Sequence, residues 1–423
     1  MKNSALLVLF FCLIANVFSQ LPGEVKYDNR VYVPGIESIK IRVTGTDFGQ
    51  PIIKLGSSET LTLDFDDLLQ ESRYLKYTII HCTHDWKKSD MNTLDYIAGF
   101  MDDEITEYSY SFNTIQHYLH YTLEFPNNNI KPIKSGNYLL YVFDGDMDNP
   151  VLTRRFMIIE EQQVGITGSV HAATNVTDMY TKQEIDFVVN PGMYNIRNPK
   201  MYMHATIMQN GRWDNAIMGL TYRSGTPGEL SFDYDNNENV MNGGAEFRVF
   251  DIRSLRYNGT RVVSVAFKNR TNQIYLVEDA ARPFGAYESN ATLKGRCYYK
   301  NEDFSGTNTE DYAIVHFALR ADFPFTDGDV YVFGELTDWH IKEEAKLVLN
   351  PVTNYWETQL FLKQGFYNYQ YAYVKNGTNI IDETFIEGNH WQTHNDYTIL
   401  IYLQDEGTIY DKLVGVKYLN IAQ

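Results

Sequence analysis

Apolar, β-branched and aromatic side chains recur at every second residue along most of this chain, and almost nowhere at the 3.6-residue spacing of an amphipathic helix. Successive side chains of a strand point to opposite faces of its sheet. A chain patterned in this way therefore has to bury one face of each sheet against another sheet. Alternating runs at 39–43, 61–65, 74–82, 120–125, 138–143 and 152–159 are separated by turn clusters such as Pro126-Asn127-Asn128-Asn129 and Lys134-Ser135-Gly136-Asn137. A second set runs through 164–170, 184–189, 201–208, 216–222, 245–250, 262–267 and 273–277, and a third through 313–319, 330–333, 346–349, 356–362, 367–374 and 398–403. With 423 residues and roughly 150 residues per domain, the expectation is an all-β chain of three β-sandwich domains in tandem. The expected limits are 20–161, 162–282 and 310–423, with 283–309 as linker and lead-in. Helix is expected only as a turn or two within 89–101.

Residues 1–19 place Lys2 ahead of an apolar run that ends at Val17-Phe18-Ser19, the pattern of a secretory signal peptide cleaved before Gln20. Cys12 is preceded by Phe11, where a lipoprotein cleavage site needs a small residue. No later run reaches the roughly 18 apolar residues of a membrane-spanning helix. The mature chain is thus expected to be exported and unanchored. An outer-membrane barrel shares the alternating, Tyr-rich pattern, but here both alternating sets carry charge and the end at Ala422-Gln423 lacks an aromatic last residue. Net charge is −18, which removes the long-range field that gathers nucleic acid. The two cysteines of the mature chain, Cys82 and Cys297, fall in different expected domains and are read as buried free thiols.

No catalytic, metal or cofactor constellation emerges. His81 and His84 alternate to opposite faces of a strand, and no second ligand pair stands at zinc-like spacing. Asp144-Gly145-Asp146-Met147-Asp148-Asn149 opens like a calcium loop, yet Asn149 replaces the required Gly and Arg155 occupies the place of the bidentate Glu. A hairpin turn is expected there. Asp64, Asp66 and Asp67 mimic glycosidase carboxylates but lie in an alternating, half-exposed strand pattern. Within 330–371, Val330-Tyr331-Val332-Phe333-Gly334, Asp338-Trp339, Tyr355-Trp356 and Gly365-Phe366-Tyr367-Asn368-Tyr369 resemble early-set immunoglobulin-like glycogen-binding modules. That resemblance implies an immunoglobulin-like fold and, as an alternative function, carbohydrate binding through Trp339.

Charge divides unevenly: net −9 over 20–161, zero over 162–295 and −10 over 297–403. The balanced middle region loses least on being pressed against another protein, and interface cores favour Met, Arg and aromatics. Tyr194 and Arg197 in Met193-Tyr194-Asn195-Ile196-Arg197, and Arg212 and Trp213 in Gln209-Asn210-Gly211-Arg212-Trp213, are therefore expected to form a partner-binding surface.

The most specific resemblance lies in the first region. Tyr77-Thr78-Ile79-Ile80-His81-Cys82-Thr83-His84-Asp85-Trp86, Tyr96-Ile97-Ala98-Gly99-Phe100, Ser111-Phe112-Asn113-Thr114, Tyr118-Leu119-His120-Tyr121 and Ser135-Gly136-Asn137-Tyr138-Leu139-Leu140 resemble the type IX secretion system plug protein family of Bacteroidota. The likeness continues to Gly388-Asn389-His390-Trp391. It implies a non-enzymatic periplasmic protein without cofactor, docked on the periplasmic mouth of the large outer-membrane translocon barrel of that system and sealing it. The long 86–105 connection is the other place where a docking loop is expected.

Overall fold

The computed structural model describes residues 25–421 apart from 72 and 322, so the signal peptide expected over 1–19 lies outside the described residues. Its regular secondary structure is almost wholly strand, packed around three hydrophobic cores. In the first, a four-stranded sheet of Ile36–Val43, Leu61–Asp67, Leu119–Phe125 and Tyr108–Tyr110 packs on Leu75–Cys82, Gly136–Asp144 and Pro150–Ile159. Leu61, Leu63 and Phe65 from one sheet meet Tyr77, Tyr138 and Phe156 from the other, all fully buried. The expected hairpin at 144–149 joins the last two strands in antiparallel register. The expected turn or two of helix is Thr93–Tyr96.

The three sandwiches exist, but they are not contiguous blocks. Strands Arg248–Asp251, Val262–Lys268 and Thr271–Leu276 were expected in the middle domain, yet they pair with Gly365–Lys375 and Tyr312–Arg320 and enter the third core. In exchange, Asp396–Leu403 and Lys412–Asn420, expected in the third domain, return to the middle one. There Asp396–Leu403 pairs in full register with Met203–Gln209. Alternation fixes which face of a strand is apolar. It does not fix the neighbour, which is chosen by long-range register.

The returning strands also fuse two domains. Lys412–Asn420 lies parallel to Pro150–Ile159 through Ile159 and Leu413, so one ten-stranded sheet serves both the first and the middle sandwich. A fourth apolar cluster fills the junction of its two halves, with Cys82, Leu139 and Met157 from the first domain against Met208, Leu400 and Tyr402 from the middle one. Both cysteines are buried and unpaired, and burial pushes the Cys82 thiol up to about 12.

Candidate functional site

The fused sheet directs attention to the seams between domains. Polar groups buried there fix how the domains sit, because each one left unpaired costs more than a hydrogen bond contributes.

Asp66 holds the seam between the first and third domains. It projects outward from the first sandwich yet is fully buried, because the third domain covers it. Its carboxylate accepts hydrogen bonds from Lys363 Nζ at 2.6 Å and Tyr312 Oη at 2.7 Å, and His120 Nδ1 lies 2.7 Å away on its own sheet. The half-exposed strand expected at 64–67 is thus an internal one, since Asp67 is also buried and accepts from Arg73 Nε at 3.0 Å. Around Asp66, Lys40 Nζ reaches Glu335 at 2.7 Å, and Asp311 accepts the backbone N–H groups of Ile115 and Gln116 at 2.8 and 3.0 Å.

His120 faces both Asp66 and, at 3.7 Å, Asp64. Burial alone would lower its pKa, but the hydrogen bonds to Asp64 and Asp66 prevail and raise it to about 9. A histidine whose folded pKa lies above its unfolded value contributes stability that is complete below the unfolded value and lost as pH rises through the folded one. The wild-type chain should therefore lose stability relative to His120→Gln between about pH 6.5 and 9. Parallel denaturant curves for the two proteins across that window would contradict the assignment.

Arg212 holds the seam between the middle and third domains. It was expected at a partner-facing turn. Instead its side chain is 1% exposed, and its guanidinium donates to both Asp214 and Glu383, the latter at 2.8 Å through Nη1. The same guanidinium lies 4.2 Å from the centroid of the Trp339 ring. A turn arginine with carboxylates on two sides is drawn inward, and Arg212 is occupied within the chain. Trp339 takes a left-handed backbone conformation, φ 56°, strained for so bulky a residue. This turns its indole in against Phe333 and Phe247. A side chain at Gly295 would place its Cβ 2.4 Å from the ring. The expected sugar-stacking tryptophan is thus covered on one face by Arg212 and packed at its edge.

Trp213 belongs to the seam between the first and middle domains. Its ring meets Trp86 edge to face at 4.9 Å, and Arg155 lies 4.5 Å from the Trp86 centroid and 5.3 Å from that of Trp213. Tyr194 is half-buried against the middle core and donates to the Gln162 carbonyl at 2.8 Å. Of the four residues expected on a partner surface, only Arg197 stands open, 78% exposed with a loose pair to Glu406 at 3.5 Å. The structure brings Arg212 and Trp339 together and leaves Tyr194 and Arg197 apart from them.

Tyr108, Tyr110 and Phe112, which stand at every second position, are missed by sequence reasoning. Tyr108–Tyr110 is the edge strand of its sheet, and the three rings are 56%, 67% and 72% exposed. Ser111 N donates to the Tyr118 carbonyl and Thr122 N to that of Glu107. By antiparallel alternation the backbone N–H and C=O groups of Tyr108 and Tyr110 then face outward. At Phe112 the edge is closed, its N–H donating to the Asn308 carbonyl at 2.8 Å, but at Tyr108 and Tyr110 it is an open edge bearing aromatic rings, a ready surface for another chain. In the preceding connection Leu94, Phe100 and Met101 are more than half exposed as well.

Metal-capable groups do not converge on chemistry. Among the described residues one trio, Glu184, Asp186 and Asp233, comes close enough to share an ion. Asp186 is already engaged by His171 Nε2 at 2.7 Å and Asn239 Nδ2 at 2.8 Å. His81 turns to Tyr138 and Tyr96, whereas the strand ends at Cys82 and His84, in the turn beyond it, stacks on His204 at 4.1 Å, so the pair diverges because of the turn and not by strand alternation.

Residues 36–160, the first sandwich, match the model of the type 9 secretion system plug protein 1st domain. A crystal structure of a hypothetical protein from Parabacteroides merdae ATCC 43184 is 32% identical, with a TM-score of 0.88, over 94% of this chain and 100% of that one. The first domain of the chain thus resembles the type 9 secretion system plug protein family. That match supports a role related to type IX secretion. The C-terminal domain of the Streptococcus pyogenes antigen I/II-family protein AspA also aligns, over 90% of this chain and 98% of its own, at 9% identity and a TM-score of 0.14. That likeness is too low to inform the fold. No curated protein matches.

Proposed function

We propose that this chain is a non-enzymatic plug that docks on the periplasmic opening of the outer-membrane type IX translocon barrel and occludes it by bulk. The observation that carries this reading is the seam at Asp66. It ties the domain matched to the plug family to the third domain through a buried ion pair, while the shared sheet ties it to the middle one. Steric occlusion requires that a body pressed into an opening not come apart along its seams, and this chain has charge-paired or sheet-continuous seams on each side. In this reading the barrel contacts the open edge at Tyr108–Tyr110 and the exposed Phe112 ring beside it, where aromatic anchors supply binding energy on the order of 2 kcal/mol or more each.

Replacing Tyr108, Tyr110 and Phe112 together with Ser should abolish recovery of the barrel with the tagged chain from membranes while leaving the melting temperature within a degree or two of wild type, as expected for exposed side chains. Wild-type recovery of the barrel by the triple variant would move the docking face elsewhere. Failure of the unmodified chain to recover any barrel would defeat the plug reading itself.

A further inference from the structure

All three domains meet around a cavity of about 130 Å³, lined by the 39–51 region and Arg155 of the first, by Gly211 and Trp213 of the middle and by Arg296 and Trp339 of the third. That volume is about four times a water's share of the liquid. The chain carries a net charge of −18, yet five cations line this one space. Three are matched: Lys40 by Glu335, Arg42 by Asp64 and Arg154 by Asp338. Arg155 and Arg296 have no carboxylate within ion-pair reach among the described residues.

Arg155 donates from Nε at 2.9 Å and from Nη2 to the Tyr27 carbonyl, and otherwise lies against the Trp86 and Trp213 rings. Arg296 donates from Nη1 to the Phe48 carbonyl at 3.2 Å. Its Nε and Nη2 make no hydrogen bond among the described residues. Indole contacts offset only part of what sequestering an ion costs. Burial accordingly lowers Arg155 to about 10, below the ordinary arginine range. Beside these donors, Gln50 gives its Nε2 hydrogen to Thr398 at 2.7 Å and leaves Oε1 buried without a partner. Gly211, at φ +73°, brings its backbone close to both groups: a Cβ there would lie 3.2 Å from Gln50 Nε2 and 3.7 Å from Arg296 Nη2.

We propose that this three-domain junction binds inorganic phosphate, with Arg155 and Arg296 donating to its anionic oxygens and its remaining P–OH donating to Gln50 Oε1. Two guanidiniums without an ion-paired carboxylate call for an oxyanion, since Asp28 acts on Arg155 only from beyond ion-pair reach and Asp47 at the cavity wall pairs with neither. An orphaned acceptor beside them calls for one that retains a proton, which inorganic phosphate does near neutral pH and sulfate does not. Bound there, the anion bridges all three domains and stabilises the assembled block by mass action.

The test is thermal unfolding of the full mature chain titrated with phosphate, with sulfate or with chloride at matched ionic strength, alongside ³¹P line broadening of free phosphate. Phosphate should raise the melting temperature and broaden its own resonance, with sulfate clearly weaker. Arg296→Gln should weaken the apparent affinity at least about tenfold, as for loss of a charged hydrogen bond, while Arg197→Gln on the open surface leaves it unchanged. Gln50→Glu, which keeps the volume and adds a negative charge, should do the same as Arg296→Gln, so that misfolding of one variant leaves the other to decide. Equal effects of sulfate and phosphate, equal losses in Arg197→Gln and Arg296→Gln, or no response beyond ionic strength would each overturn the proposal. The plug reading is untouched by any of these results.

Discussion

Asp66→Asn is expected to destabilise the protein by about 3–5 kcal/mol, because it leaves the other members of a buried charged cluster without their anion. Lys363, 5% exposed, and the protonated His120 would face a neutral amide in a seam closed to water. The substitution preserves shape, so the loss reports charge rather than packing. The direction of the carboxylate's own pKa agrees: burial opposes ionisation, but Lys363 and His120 hold it below the ordinary value. Its contribution is therefore present above about pH 4 and lost as pH falls through the lowered value. Calorimetry of the variant should resolve the third domain melting apart from the first, where the wild type melts them together. The paired replacement Asp66→Leu with Lys363→Met should recover much of the loss, since apolar substitutes for a buried ion pair are often neutral or better. A change under about 1 kcal/mol in Asp66→Asn, small on the scale of ordinary substitutions, would show that the seam is held by something else.

Arg212→Met should cost a similar amount, about 3–5 kcal/mol, for the opposite charge. Asp214 and Glu383 would confront each other without the cation between them, and the covered face of Trp339 would open. Arg212→Lys should fall short of rescue, because an ammonium cannot serve two carboxylates in one plane and stack on an indole at once. Tryptophan emission distinguishes this from simple loss of stability. In the folded Arg212→Met protein it should shift to longer wavelength as water reaches Trp339, and a Trp339→Phe background should remove the shift. Unchanged emission with full stability in Arg212→Met would contradict the seam described here.

These two residues also show where sequence and structure part. Within a sandwich the pattern was sufficient: Leu61, Leu63 and Phe65 alternate inward, and the strand pairs as the pattern implies. Asp66 belongs to the other alternating set, which is solvent-facing in an isolated sandwich, and only the docking of a domain some 250 residues away in sequence makes it internal. Arg212 misleads for the same reason, because a turn of Gln, Asn, Gly, Arg and Trp reads as surface until another domain closes over it. The strand exchange at 248–276 and 396–420 was hidden too, since an apolar face does not name its neighbour. Tyr108, Tyr110 and Phe112 form a period-2 aromatic run that sequence reasoning misses, because its exposure depends on being last in its sheet. The plug-family motifs were legible because they are long and ordered; those between Tyr77 and Leu140 lie in the sandwich that the family match spans, whereas Gly388-Asn389-His390-Trp391 lies outside it.

The claim that this protein closes a pore is tested most directly by the conductance of the purified translocon barrel in a planar bilayer, recorded before and after adding the purified mature chain to the periplasmic side. The account predicts that the open-pore conductance falls to the baseline of the bare membrane with the wild-type chain and stays open with the Tyr108, Tyr110 and Phe112 triple-Ser variant. A barrel that conducts equally with and without the wild-type chain, despite binding it, would contradict occlusion.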